Sequence, residues 1–137
     1  MTPQQIAAIK HSWGLLQARQ DALAQCFYAR LFAEHPEVRG YFTDSVESQA
    51  RKLQRMLEMI VETLDAWDEE APMLQLSGRL HHSYGVQASD YAKVGDCLQQ
   101  ALRETLAEHA DAATLNAWAV AFEALAAPMR AGAAQRD

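Results

Sequence analysis

The chain has 137 residues, half of them hydrophobic, and a formal net charge of −6. That length and apolar share suit one domain, residues 1–137, with a sizeable core, and they exclude a disordered chain. The sequence has no basic cluster to displace counterions from phosphates, which excludes nucleic-acid binding, and no apolar run near the roughly 20 residues of a membrane span.

The opening MTPQQIAAIKHSW has no basic segment ahead of an apolar core, so it is not read as a secretory signal and a cytoplasmic chain is expected. Thr2-Pro3-Gln4-Gln5 supplies an N-cap, a proline at the first helical position and a capping-box glutamine. Ile6, Ile9, Trp13 and Leu16 follow as one helical stripe. A second helix is predicted from Asp21 to Glu34, with Leu23, Phe27, Tyr28, Leu31 and Phe32 along it, and His35-Pro36 ends it. A short turn or helix then leads to Tyr41-Phe42. A longer amphipathic helix is predicted over Val46 to Trp67, with Gln49, Leu53, Met56, Leu57, Ile60 and Leu64 on one side. After Pro72 a shorter helix should end near His82, with Gly85 as terminator. Ser89 or Asp90 should cap the next helix, which turns Tyr91, Val94, Leu98, Ala101, Leu102 and Leu106 inward. Leu115, Trp118, Phe122, Leu125 and Met129 mark the last. Strand signals are nearly absent, so the pattern is an all-α domain of about six or seven helices joined by short connections. Cys26 and Cys97 stand far apart, and two free buried thiols in a reducing cytosol are expected.

Familiar catalytic signatures are missing: no Walker loop, dinucleotide glycine fingerprint, zinc-protease motif or nucleophile elbow. Zinc wants three or four converging ligands, and no stretch has that spacing. A cofactor that brings most of its own ligands remains possible, and haem, which needs one protein histidine, is that case. A solvated imidazole is the ordinary reading of His11, His35 and His109. In LHHSYGV (80–86) successive residues turn by about 100°, so one of His81 and His82 faces inward, and periodicity leaves the choice open. Gln49 and Leu53 lie one helical turn apart, and a glutamine buried on an apolar face needs a partner.

Four stretches, FYARLFAEHPEVRGYF (27–42), SQARKLQRML (48–57), GRLHHSYGV (78–86) and DYAKVGDCL (90–98), together resemble the globins. The likeness is to bacterial single-domain globins, such as Vitreoscilla haemoglobin and neuroglobin-like forms, and to the globin domain of flavohaemoglobins. It covers nearly the whole chain and implies a globin fold around haem b, iron protoporphyrin IX. The resemblance assigns the proximal iron ligand to His81, four residues before Gly85 and preceded by Gly78-Arg79, and leaves His82 outward. It assigns Phe42 to the haem face, Tyr28 and Gln49 to the distal ligand pocket, Leu53 to the apolar wall, and Tyr91 to a position near the proximal histidine. Lys52 and Arg79 are within the range of positions that approach propionates, although solvated charge is the ordinary reading of both.

Two departures from the flavohaemoglobin pattern stand out. The tail PMRAGAAQRD lacks the proximal glutamate of the last helix, which argues against a strong electron push of peroxidase type. The sequence also carries no flavin or nicotinamide reductase portion. The implied function is reversible binding of dioxygen and other diatomic ligands, for oxygen transport or scavenging. Nitric oxide dioxygenase-type detoxification with an external reductase, or gas sensing through a partner protein, are the alternatives.

Overall fold

The computed structural model describes residues 2–42, 45–62, 64 and 88–134. Among these the regular structure is entirely helical. The α-helices are α1 (Pro3–Gln17), α2 (Gln20–Glu34), α3 (Val46–Glu62), α4 (Ala88–Leu106) and α5 (Ala112–Ala134), with 3-10 turns at Pro36–Tyr41 and Ala107–His109. No helix of the described residues is long and apolar enough to cross a membrane.

The predicted capping box at the start of α1 is present. The Gln5 amide donates to Thr2 Oγ1 at 3.1 Å, and the Thr2 amide donates to Gln5 Oε1 at 2.9 Å, satisfying two otherwise free donors of the first turn. α2 stops where the sequence indicates. His35, restrained by the following proline, leaves helical geometry at φ −136° and ψ 66°, and its N–H closes on the Leu31 carbonyl. Pro36 then opens the 3-10 turn that delivers Phe42.

Three expectations need correction. α4 begins at Ala88, so Ser89 and Asp90 sit inside its first turn rather than capping it. The Asp90 carboxylate is instead buried and accepts from Lys93 Nζ at 2.9 Å, one turn along the same helix. α3 ends at Glu62 with Leu64 in a turn, and residues 65–67 of the predicted helix lie outside the described residues. Both cysteines are free, but only Cys97 is buried; Cys26 is half-buried because its thiol donates to the Glu104 carboxylate at 2.7 Å on the polar edge between α2 and α4.

α2 packs along α4, and α1 and α4 both pack along α5. The apolar stripes read from the sequence meet in one core holding Ile9, Leu16, Leu31, Ile60, Leu102 and Trp118. Two contacts set the approach of its helices. Trp118 Nε1–H on α5 donates to Ser12 Oγ on α1 at 2.8 Å, deep in the core. On α4, Gly95 admits the Phe122 ring so closely that a β-carbon there would stand 2.9 Å from it. α5 continues through Pro128, and the turn between α4 and α5 places Ala107 at φ 52°, in the left-handed region.

Candidate functional site

The aromatic face of α2 and the start of α3 form one compact group around Tyr28. Helical spacing puts Phe27, Tyr28, Leu31 and Phe32 on neighbouring positions of α2. The Tyr28 ring meets Phe27 edge-on with centroids 4.9 Å apart and stacks against Phe32 at 5.9 Å. Phe42, carried in by the 3-10 turn, packs edge-on against Tyr28 at 5.7 Å and Phe32 at 5.4 Å. Such pairs contribute about 0.5–1.5 kcal/mol each beyond area burial, enough to hold Phe42 against α2. The Arg39 guanidinium lies 4.8 Å over the Phe32 ring and covers the solvent side of the group.

The Tyr28 hydroxyl donates to the main-chain carbonyl of Gln49 at 2.8 Å. Burial pushes its pKa up to about 12, so it stays a protonated donor throughout the neutral range. Gln49 is 8% exposed and Leu53, one turn on, is 6% exposed, so a polar and an apolar side chain both turn inward from α3. Behind them, Leu53 lines a cleft of about 270 Å³ together with Trp13, Leu23, Ala24 and Leu57.

Tyr91 stands apart on α4. No hydrogen bond or ring contact joins it to the Tyr28 group among the described residues, and its buried hydroxyl has no partner there. Burial, more than the opposing charge of Arg130, raises its pKa, so it too remains a neutral phenol. The structure thus brings together Tyr28, Gln49 and Phe42, with Leu53 a turn away, and it leaves Tyr91 on another helix. His81, His82, Gly78, Arg79 and Gly85 lie outside the described residues. Lys52 is exposed, as are His11 and His109.

Residues 25–129 match the family model of the globins. The flavohemoprotein of Bordetella pertussis is 30% identical over 129 residues, covering 92% of this chain and 32% of that protein. The chain therefore spans about a third of the length of the curated relatives it matches. Among solved structures, an engineered carbene transferase from Rhodothermus marinus, a candidate nitric oxide dioxygenase, is 29% identical with a TM-score of 0.84, covering 98% of this chain and 94% of that one. A bacterial globin from Campylobacter jejuni is 27% identical with a TM-score of 0.81, covering 98% and 97%.

The architecture is the all-α globin fold. The chain belongs to the globin family.

The described residues supply part of what the group this family holds requires. A haem needs an apolar slot with aromatic walls, few polar groups near the ligand, and one axial imidazole. Phe42 and Leu53 are apolar and packed on the core, the Tyr28 hydroxyl and Gln49 are polar groups near them, and the buried Tyr91 hydroxyl has no partner among the described residues, which do not include an imidazole at this site.

Proposed function

We propose that this chain is a haem b protein that reversibly binds dioxygen and other diatomic ligands. The observation that carries the proposal is the joining of Tyr28, Gln49 and Phe42 at the α2–α3 junction of a globin-family chain. Haem would supply a ferrous iron able to bind the gas. His81 would hold that iron, Phe42 would pack against the macrocycle, and Tyr91 would stand on the side of His81. Leu53 would keep the distal side dry. A dry site strengthens any hydrogen bond to a polar ligand, and the neutral Tyr28 phenol and the Gln49 amide are the donors for it. The tail lacks the proximal glutamate of flavohaemoglobins, which favours ligand binding over peroxidase-type activation.

A second reading rests on the likeness to flavohemoproteins and to the Rhodothermus protein: oxidation of nitric oxide by bound dioxygen, with an external reductase returning electrons. The same distal residues would serve, and turnover of nitric oxide with a supplied electron donor separates catalysis from stoichiometric reaction.

The deciding experiment is a spectrum of the purified protein with haem, followed by the two histidine variants. A Soret band is expected that His82→Ala preserves and His81→Ala disrupts. Loss of normal ligation in His82→Ala alone would move the axial ligand by one residue, and failure of the wild-type chain to take up haem would reject the proposal.

A further inference from the structure

Away from the Tyr28 group, the end of α2 meets the middle of α4 at three side chains of metal-ligating type. Glu34, His35 and Cys97 each place one ligand atom within 4.8 Å of the other two. Sequence spacing hides this set, because Cys97 is distant in the chain and only the packing of α2 along α4 brings it to the helix end. Glu34 is the last residue of α2, and the proline after His35 turns the imidazole out of the helical path.

We propose that Glu34, His35 and Cys97 form a zinc site that ties the C-terminal end of α2 to α4. Carboxylate, imidazole and thiolate are the three ligand types zinc accepts, and three protein ligands with water in the fourth position complete a tetrahedron. With Zn–N, Zn–O and Zn–S bonds of about 2.0–2.3 Å, tetrahedral ligands stand roughly 3.3–3.8 Å apart, so the three atoms must draw closer on binding.

Three further features suit a cation there. The site lies at the C-terminal end of α2, where the free carbonyls concentrate partial negative charge. Glu37 Oε1 stands 3.7 Å from His35 Nδ1, beyond hydrogen-bond reach but close enough for its negative charge to favour a cation there. Burial first, and then the charges of Glu34 and of Asp96 beside it in α4, hold the Cys97 thiol protonated, so a cation there would offset that negative charge and must displace the proton. The neighbouring cations have other carboxylates. Arg30 pairs with Glu104 as well as with Glu34, so it keeps a partner when Glu34 turns to metal. Lys93 pairs with Glu37 at 3.1 Å and Asp90 at 2.9 Å. Glu34 and His35 are the exposed and half-exposed members, so the ion enters from their side and meets Cys97 last. On binding, the S–H bond breaks, a Zn–S bond forms, and the proton leaves to solvent.

The test uses the purified full chain with its haem, stripped with a chelator and titrated with zinc alone against a metallochromic competitor. One zinc per chain is expected, with a melting temperature that rises with zinc concentration. Zinc-edge X-ray absorption should show one sulfur scatterer at about 2.3 Å. His35→Gln should lose both the binding and the sulfur shell, and Glu34→Gln should weaken binding about tenfold. These two substitutions sit at the surface, so the test does not depend on Cys97→Ser, which alters the core. Absence of zinc binding, a zinc shell without sulfur, or binding that survives His35→Gln unchanged would each overturn the proposal. None of these outcomes depends on which histidine holds haem.

Discussion

The phenol of Tyr28 on α2 and the main-chain carbonyl of Gln49 in the first turn of α3 are joined by a 2.8 Å hydrogen bond. A phenol has one proton, so a gas ligand seeking it as a donor competes with a carbonyl already holding it. Breaking a neutral bond worth about 0.5–1.5 kcal/mol to make a charge-assisted one worth about 1.5–3 leaves a smaller net gain than the second bond alone. Tyr28→Phe should therefore speed dioxygen release roughly twofold to thirtyfold, a net of about 0.5–2 kcal/mol, and lower unfolding stability by about 1 kcal/mol. Stopped-flow displacement of dioxygen by carbon monoxide, with denaturant unfolding alongside, measures both. An unchanged off-rate would remove Tyr28 from the distal role.

The raised pKa of the same phenol predicts an alkaline limit. Its folded value, about 12, lies above the ordinary 10, so between these pH values the native state holds a proton that the unfolded state has lost. Tyr28's contribution to stability is fully present below about pH 10 and falls away as pH rises through 12. Tyrosinate absorbance in a pH titration should lose a component near pH 12 in Tyr28→Phe. A component lost near pH 10 instead would mean that the phenol is not desolvated.

Ser12 and Trp118 predict a core hydrogen bond whose loss is felt from one side. Ser12 is 2% exposed and Trp118 fully buried, and the indole N–H has Ser12 Oγ as its acceptor at 2.8 Å. Ser12→Ala leaves that donor unsatisfied and should cost about 1–3 kcal/mol. Adding Trp118→Phe should bring a further cost smaller than Trp118→Phe brings alone, because the stranded donor is gone. Strict additivity in the denaturation cycle would mean that the bond contributes nothing.

Gly95 sets two effects against each other. Glycine in a helix interior is about 1 kcal/mol worse than alanine, so Gly95→Ala should stabilise α4 on propensity alone. The added β-carbon would meet the Phe122 ring at 2.9 Å, and overpacking of that kind costs about 1–3 kcal/mol. Net destabilisation is expected for Gly95→Ala, turning to net stabilisation in a Phe122→Leu background. Thermal melts of the four proteins decide it, and a stabilised single variant would show that the ring moves aside freely.

Much of the fold was legible in the residues. The start of α1 and the end of α2 follow from local chemistry: the Thr2 capping box, and the proline that disfavours helical geometry at His35. The inward faces follow from periodicity, and Gln49, Leu53, Leu57 and Ile60 are all buried as their spacing indicates. The start of α4 was misplaced because a buried aspartate looks, in sequence, like a capping one. With the helix already begun at Ala88, the Asp90 carboxylate accepts from Lys93 one turn along instead.

Among the described residues, sequence by itself determined where the α-helices lie apart from some of their ends, which face of each is apolar, and that the chain belongs with the globins, since all three depend on neighbours within a turn or on motif order. Tertiary structure alone decided which polar atoms pair between helices. That Tyr28 donates to the Gln49 carbonyl, that the Trp118 indole finds Ser12, and that Cys97 arrives beside Glu34 and His35 are products of helix crossings. Those crossings are set by side-chain volume at contacts such as Gly95 against Phe122, between residues far apart in the chain, and no local pattern records them.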